Sequence, residues 1–249
     1  MAGAFVKAAF LRGRRGGPWV PDIPHTRVGF EGNTGARLVG HWFAARDAKG
    51  AVVLAHPDRR YGKHWFVKEG YVAFLVENGF DVLTFDFTGY GESRGPATYY
   101  HEDVVAAARV AEHWGGRLPV HVVGVSMGAF AAANASPRLD FVRSLALESP
   151  YPTFNSWYGD GPMLHAMRLF DRAFPRSSAA IQADRNLARA VPSRILVAWS
   201  PSDEVTPPAL SRRMAEVAPH AQRLEVDAPH LAFLKDARYR EALLAHLGA

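Results

Sequence analysis

Short apolar runs rich in β-branched residues recur along this 249-residue chain, and stretches of helical periodicity separate them. The runs that indicate buried strands are residues 51–55, 81–87, 120–125, 142–147 and 194–199. After the second run, Val104, Ala108 and Ala111 recur at helical spacing, and Gly115 ends the segment. Strands of this kind with helices between them are typical of a parallel sheet covered on both faces. The pattern therefore predicts an α/β fold.

Two regions depart from this alternation. Residues 27–32 and 36–45 alternate in polarity around a Gly-Asn-Thr-Gly turn, which predicts an antiparallel hairpin ahead of the parallel strands. Residues 150–192 carry many aromatic side chains among prolines and glycines, so we interpret them as a lid or cap. We expect a single α/β domain over residues 1–249, with an N-terminal arm at 1–26 and the lid at 150–192.

Three further helices are expected along the chain. An apolar face that runs from Phe66 to Leu75 predicts one helix that ends at Gly79. Residues 209–217 follow a proline pair and have the composition of a helix. Residues 230–247 predict a C-terminal helix with leucines on its apolar face.

The chain contains no cysteine, which excludes disulfide scaffolds, thiolate zinc sites, iron–sulfur clusters and cysteine nucleophiles. Its 29 Lys and Arg residues against 24 Asp and Glu residues give a formal charge of +5. That excess alone is compatible with nucleic acid, anionic membranes or acidic substrates. The basic pairs at 14–15, 59–60 and 212–213 are scattered, and no recognition motif accompanies them, so we expect no nucleic-acid partner.

No apolar run approaches the roughly 20 residues that a membrane-spanning helix needs. The N-terminal residues 1–11 are apolar apart from Lys7, and arginines follow them, an order that differs from a secretory signal. We expect an exposed arm, while a transit peptide or a short helix in peripheral contact with a membrane stays open. The expected location is cytoplasmic.

Residues 124–128 read Gly-Val-Ser-Met-Gly, a G-x-S-x-G pattern between a predicted strand and a predicted helix at 127–135. A nucleophile elbow needs serine at such a strained turn, where Gly124 and Gly128 let neighbouring backbone approach. The N–H groups that begin the helix would face negative charge developing on a substrate. Ser126 is the predicted nucleophile; the alternative is a packing turn that contains a serine by chance.

A nucleophilic serine needs a base and a group that orients the base. Asp203 follows the strand run at 194–199, and His230 lies between a short final strand run and the last predicted helix. Both positions are loops after later strands, where triad partners of Ser126 are expected. Glu148 or Glu204 could serve as the acid in place of Asp203.

The loop after the strand run at 51–55 begins with His56, Pro57 and Asp58, and it is the expected source of a second oxyanion donor. Proline has no N–H, so the backbone N–H of Asp58 is paired with that of Met127 as the predicted oxyanion hole. The Asp58 carboxylate would disfavour a nearby oxyanion, so we expect it to point away, toward the arginines that follow it. His56 is interpreted as a residue that orients this loop.

Residues 86–93 read Asp-Phe-Thr-Gly-Tyr-Gly-Glu-Ser and close the strand run at 81–87. As a dinucleotide fingerprint the segment fails, because Arg94 occupies the third glycine position. We interpret it as a tight glycine turn beneath the active site. The sequence contains no P-loop, H-E-x-x-H or EF-hand pattern, so we expect neither a cofactor nor a metal ion.

Together these segments resemble the α/β-hydrolase superfamily over about residues 27–249, and within it the branch of esterases, lysophospholipases and serine-aminopeptidase-like enzymes. Residues 56–58 correspond to its H-G-x oxyanion loop, with proline in place of glycine, and residues 86–93 to its D-x-x-G-x-G-x-S turn. Ser126 matches its elbow, and residues 203–207 resemble its acid loop. The resemblance implies a cofactor-free serine hydrolase with an eight-stranded, mostly parallel sheet, and it implies no particular substrate.

We therefore expect a serine hydrolase that cleaves a carboxylic ester, or a related acyl bond, of a small-molecule substrate through an acyl-enzyme intermediate. The candidate pocket residues are His56, Trp157, Tyr158 and Phe170. An ester is favoured over a peptide because the lid offers no evident site for a charged amino terminus. The alternatives are an acyltransferase, a thioesterase or a perhydrolase on the same fold, and a catalytically silent binding protein. The sequence does not indicate an oligomeric state.

Overall fold

A computed structural model of the chain describes residues 21–95, 100–153, 156, 169 and 181–248. The strands in this part of the chain are β1 (Thr26–Glu31), β2 (Arg37–Phe43), β3 (Gly50–Ala55), β4 (Phe80–Phe85), β5 (Val120–Val125), β6 (Val142–Glu148), β7 (Arg194–Trp199) and β8 (Gln222–Glu225). They form one eight-stranded sheet in the order β1-β2-β4-β3-β5-β6-β7-β8. The β1–β2 and β2–β4 pairs are antiparallel and the other pairs are parallel, which confirms the predicted α/β-hydrolase architecture.

Helices cover both faces of the sheet. They are α1 (His64–Lys68), α2 (Tyr71–Glu77), α3 (His101–Gly115), α4 (Met127–Ala135), α5 (Ala183–Leu187), α6 (Pro208–Val217) and α7 (Ala237–Gly248). Every residue of β3, β4 and β5 is buried, as expected for parallel strands between two helical layers. Two apolar clusters result, one on each face: α3 and α4 pack in the first, and α1, α2 and α7 in the second.

The helix predicted between Phe66 and Gly79 is two helices in the structure. Gly70 separates α1 from α2 and has a φ of 83° and a ψ of 0°, a left-handed conformation that interrupts helical hydrogen bonding. Both short helices still bury one apolar face, to which Phe66 and Tyr71 contribute. The apolar periodicity was therefore a correct guide to burial, and the break at Gly70 changes only the backbone path.

The C-terminal helix begins at Ala237, well after the predicted start at His230. Asp236 sets this boundary, because its carboxylate Oδ1 accepts hydrogen bonds from the backbone N–H groups of Arg238 and Tyr239, at 2.7 Å and 3.3 Å. A single 3₁₀ turn at Phe233–Lys235 precedes it. His230 consequently lies on a loop of its own, between β8 and this turn.

Both ends of the segment predicted as a lid, 150–192, pack in the core. Tyr151 stacks on Phe130 of α4 with ring centroids 4.9 Å apart. Ile181 and Leu187 are buried in the same cluster. Apart from residues 156 and 169, positions 154–180 lie outside the described residues, as do residues 1–20 of the predicted arm. None of the helices in the described part of the chain has the length and hydropathy needed to cross a bilayer.

Candidate active site

Ser126 lies at a sharp turn between β5 and α4. Its φ of 53° and ψ of −112° are unusual for a residue with a side chain, and strained backbone of this kind is often found at functional sites. Close packing surrounds the turn: a Cβ on Gly124 would come within 2.6 Å of the Gly128 carbonyl oxygen, and a Cβ on Gly128 would overlap the Ala55 carbonyl group. The two glycines therefore let the start of α4 approach the end of β3.

Asp203 lies in the loop after β7, and its carboxylate is buried and fully engaged. Oδ1 accepts hydrogen bonds from the backbone N–H groups of Val205 and Thr206, at 2.9 Å and 2.7 Å. Oδ2 accepts from His230 Nδ1 and from the Ser149 hydroxyl, both at 2.7 Å. Burial alone would raise the pKa of this carboxyl group, but the hydrogen bonds from His230, Thr206 and Ser149 outweigh burial and hold its pKa below the usual value.

His230 is oriented through the nitrogen that faces Asp203. Its side chain is 7% exposed, and Nδ1 is 2.7 Å from Asp203 Oδ2. With Nδ1 donating to the carboxylate, Nε2 is the nitrogen left to accept a proton from a hydroxyl group. The next residue, Leu231, has a φ of 67°, so the backbone turns sharply directly after the histidine.

The ends of β5, β6, β7 and β8 carry these groups in the order in which the strands lie in the sheet. The backbone N–H of Ser126 donates to the carbonyl oxygen of Glu148 at 2.8 Å. The adjacent Ser149 donates its hydroxyl to Asp203, which in turn holds His230. These hydrogen bonds, together with the peptide link from Glu148 to Ser149, connect the backbone of the predicted nucleophile with the predicted acid and base at one edge of the sheet.

The two alternative acids occupy different environments. The Glu148 carboxylate is buried and accepts hydrogen bonds from the hydroxyl groups of Tyr71, at 2.7 Å, and Tyr239. Glu204 is exposed, next to the buried Asp203. Of the three carboxylates, Asp203 is the one with a described hydrogen bond to His230.

The predicted oxyanion loop packs against the elbow through Tyr90. The Tyr90 hydroxyl donates to Asp58 Oδ1 at 2.7 Å and lies 3.5 Å from the sulfur of Met127. The Asp58 carboxylate, expected to face the neighbouring arginines, is thus hydrogen-bonded to a tyrosine. Met127 begins α4, so its backbone N–H has no acceptor within the helix.

His56 fixes this loop through hydrogen bonds made by both of its ring nitrogens. Its side chain is fully buried; Nδ1 donates to the carbonyl oxygen of Pro57 at 2.8 Å, and Nε2 accepts from the backbone N–H of Phe87 at 3.1 Å. Burial is the main cause that lowers the pKa of His56, which keeps the ring neutral. The expected loop-orienting role fits this geometry, whereas the expected pocket role does not, because neither ring nitrogen is left for a substrate.

The segment 86–93 forms a tight turn around a buried ion pair. Lys63 Nζ lies 2.6 Å from Asp86 Oδ2, and each side chain is 1% exposed. Gly91 has a φ of 43°, and a Cβ there would overlap the Asp86 carboxylate. Ser93 closes the turn by donating its hydroxyl to the Asp86 carbonyl oxygen at 2.6 Å.

Three residues that the sequence did not single out therefore support the site: Lys63, Tyr90 and Ser149. Ser149 directly follows a strand end, as does Ser126, and that position was the one available signal for it. The candidate pocket residues Trp157, Tyr158 and Phe170 lie outside the described residues. Within the described chain, no group of three or more histidine or carboxylate side chains is arranged to bind one metal ion.

Comparisons with known proteins place the chain in a family. The profile of the family described as Serine aminopeptidase, S33, matches residues 46–222. The human protein ABHD12B is 26% identical over 202 residues, which cover 73% of this chain and 54% of that protein, so the chain spans about half of it. The uncharacterized protein YfhR of Escherichia coli K12 is 24% identical over 245 residues, with coverage of 91% and 80%.

The fold is also found among solved structures. The esterase Pf2001 of Pyrococcus furiosus superposes with a TM-score of 0.73 at 19% identity, over 94% of this chain and 98% of that one. The family profile covers most of this chain, including the elbow and the acid loop. The chain therefore belongs to the serine aminopeptidase S33 family of hydrolases with the α/β-hydrolase fold.

Proposed function

We propose that the protein is a serine hydrolase that cleaves carboxylic esters, with Ser126 as nucleophile, His230 as base and Asp203 as the acid that orients His230. The observation that carries the proposal is the pairing of a strained serine, at φ 53° and ψ −112°, with a buried Asp203–His230 hydrogen bond of 2.7 Å at the same sheet edge. A serine in a sharp strand-to-helix turn, with a histidine already oriented by a carboxylate, is the arrangement that acyl transfer needs.

In the proposed reaction, the Ser126 hydroxyl oxygen attacks the acyl carbon while His230 Nε2 takes its proton. The tetrahedral intermediate then expels the alcohol, which receives that proton from His230, and an acyl-enzyme remains. Water, deprotonated by His230, attacks the acyl carbon and releases the carboxylic acid and Ser126. Asp203 keeps Nδ1 protonated and stabilises the imidazolium form throughout.

The backbone N–H groups of Met127 and Asp58 are the proposed oxyanion donors. Support comes from the contact of Tyr90 with both residues, which brings the loop after β3 against the start of α4. The Tyr90 hydrogen bond also ties the Asp58 carboxylate, so its charge is partly compensated beside the developing oxyanion. Each donor in such a hole is typically worth about 3–4 kcal/mol.

An ester is the proposed substrate in preference to an aminoacyl amide. An aminopeptidase substrate carries an ammonium group that calls for a carboxylate partner. Two carboxylates close to the site are already occupied, that of Asp58 by Tyr90 and that of Glu148 by Tyr71 and Tyr239. The structural likeness to an enzyme named as an esterase supports the same choice. The pocket residues Trp157, Tyr158 and Phe170 remain proposals for the apolar part of the substrate site.

A panel of nitrophenyl esters with increasing acyl length, assayed beside aminoacyl nitroanilides, tests this proposal. We expect ester hydrolysis that falls by about 10⁶-fold in Ser126→Ala and by about 10⁴-fold in Asp203→Asn. Turnover of the anilides in preference to the esters would identify an aminopeptidase, and ester hydrolysis that survives Ser126→Ala would refute the assignment of the nucleophile.

A further inference from the structure

Ser149 is the residue directly after β6, and its side chain hydrogen-bonds a member of the proposed catalytic triad. Its hydroxyl donates to Asp203 Oδ2 at 2.7 Å, and the same oxygen accepts from His230 Nδ1 at 2.7 Å. The side chain is buried, with 3% of the residue exposed. Ser149 is thus attached to the carboxylate oxygen that faces the base, and the Val205 and Thr206 amides hold the other oxygen.

We propose that Ser149 is a positioning residue for Asp203, and this inference rests on the function proposed above. Without Ser149, only His230 and the two amides on Oδ1 would fix the Asp203 carboxylate. The carboxylate could then rotate about its Cβ–Cγ bond and carry Oδ2 away from His230. With Ser149, Oδ2 has two donors and one defined position. The hydroxyl also spreads the negative charge of Oδ2, which limits how strongly Asp203 binds the protonated form of His230.

The backbone of Ser149 supports this role. Its φ of 49° lies in the left-handed region, which costs energy for a residue with a Cβ and which glycine adopts freely. The backbone N–H of Ser149 donates to the carbonyl oxygen of Ala198 at 2.9 Å and so extends the pairing of β6 with β7. The strained conformation brings the hydroxyl to Asp203, and the hydrogen bond to a buried carboxylate offsets the strain.

In the described part of the chain, the titratable groups bonded to Ser149 or next to it in sequence have fixed directions. Asp203 and His230 face its hydroxyl. The neighbouring Glu148 carboxylate is directed toward Tyr71 and Tyr239 on the helical layer formed by α2 and α7. A change in the catalytic pH profile on removal of the Ser149 hydroxyl would therefore report on the Asp203–His230 pair.

Two variants separate the hydroxyl from the strain. Ser149→Ala and Ser149→Gly both remove the hydrogen bond, but only glycine relieves the left-handed backbone, so the two should differ in thermal stability. Ser211→Ala is the matched control, because Ser211 is also buried and donates its hydroxyl to a backbone carbonyl, that of Pro150, at 2.8 Å. The control removes a serine hydroxyl that binds Pro150, the residue after Ser149, and it leaves the hydrogen bonds of Asp203 in place.

For a nitrophenyl ester, we expect kcat to fall about 10- to 100-fold in both Ser149 variants, the range that corresponds to one hydrogen bond to a charged group, with little change in KM. The acidic limb of kcat/KM should move to higher pH in both, because Oδ2 then carries more charge opposite the protonated imidazole. Ser211→Ala should keep the pH profile of the parent protein. Parent rates in both variants, or a loss in Ser149→Ala that Ser149→Gly restores, would overturn the proposal.

Proton NMR provides a readout that needs no substrate. The proton that His230 Nδ1 shares with Asp203 should give a far-downfield resonance, identified by its absence in His230→Gln. We expect its position, and the pH at which it changes, to differ from the parent protein in Ser149→Gly and to match it in Ser211→Ala. An unchanged resonance in Ser149→Gly would overturn the positioning role even if the proposed esterase activity were absent.

Discussion

Among single residues, Glu148 lies in an environment that should make the stability of the fold depend on pH. The residue is 1% exposed, and its carboxyl group has two tyrosine hydroxyl groups as hydrogen-bond donors, from Tyr71 and Tyr239. Burial raises its pKa from the usual 4.5 to about 7, and the hydrogen bonds counter only part of that rise. The folded state therefore holds this proton more tightly than the unfolded chain does.

The consequence is a pH-dependent stability that Glu148→Gln should remove. Stability from this group is complete below its unfolded pKa, near 4.5, and is lost as pH rises through the folded value of about 7. The loss amounts to about 3 kcal/mol for such a difference in pKa. In urea titrations from pH 5 to pH 8, the free energy of unfolding of Glu148→Gln should rise relative to that of the parent protein as pH rises. The reason is that an amide keeps both tyrosine contacts without a charge.

The difference between the two pH profiles isolates Glu148, because the other buried groups are common to both proteins. Burial lowers the pKa values of the histidines His121 and His246 to about 3 and about 4. These groups contribute equally to the stability of the parent protein and of the variant. A constant difference in stability across this pH range would contradict the account of Glu148.

The buried Lys63–Asp86 pair gives a second prediction for a single residue. Lys63→Met would leave the Asp86 carboxylate buried beside an apolar group, and loss of one partner of a buried pair typically costs about 3–5 kcal/mol. The free energy of unfolding should fall by that amount in denaturant titrations. Arg212→Met is the control, since Arg212 and Glu225 are 52% and 51% exposed and such pairs contribute about 0–1 kcal/mol. Equal effects of the two changes would refute the structural role of Lys63.

Among the elements, β5 and α4 were predictable from sequence to the residue, whereas α1, α2 and α7 were not. Strong β-branched runs and a glycine-flanked turn define β5 and α4 locally. The break at Gly70 and the late start of α7 depend on a positive φ and on the Asp236 cap. Apolar spacing reports which residues are buried, but it carries no information on where the backbone leaves the helix.

At the junction of β5, α4 and β3, a single added methyl group should lower both stability and activity. Gly128→Ala would push a Cβ into the Ala55 carbonyl group, which must move together with the proposed oxyanion loop that follows it. We expect a loss of about 1–3 kcal/mol in unfolding free energy, typical of overpacking, together with reduced ester hydrolysis. Calorimetry and the ester assay measure the two effects.

Gly29→Ala provides the comparison for that variant. A Cβ at Gly29, on the edge strand β1, has no heavy atom within 4 Å. It should leave both stability and hydrolysis close to those of the parent protein. If Gly128→Ala behaved in the same way as Gly29→Ala, the close approach of α4 to β3 would not be a requirement of the site.

Over the whole molecule, the sheet order brings together residues that are far apart in the sequence. Ser126, Asp203 and His230 could be proposed from sequence because each follows a recognisable strand run. Ser149 also follows a strand, but its role and that of Tyr90 could not be predicted, since a position after a strand does not show which strands are neighbours or where a side chain points. Their contacts with Asp203 and Asp58 are properties of the folded sheet edge and not of any local pattern.

If Ser126 is an activated nucleophile, its hydroxyl should react covalently with an electrophilic phosphonate. The parent protein is treated with a fluorophosphonate, and the modified peptide is located by mass spectrometry, beside Ser126→Ala and the buried-serine control Ser211→Ala. We expect one adduct per chain on Ser126, the same adduct in Ser211→Ala, and none in Ser126→Ala. An unlabelled parent protein, or an adduct on another residue that persists in Ser126→Ala, would contradict the assignment of Ser126 as the nucleophile.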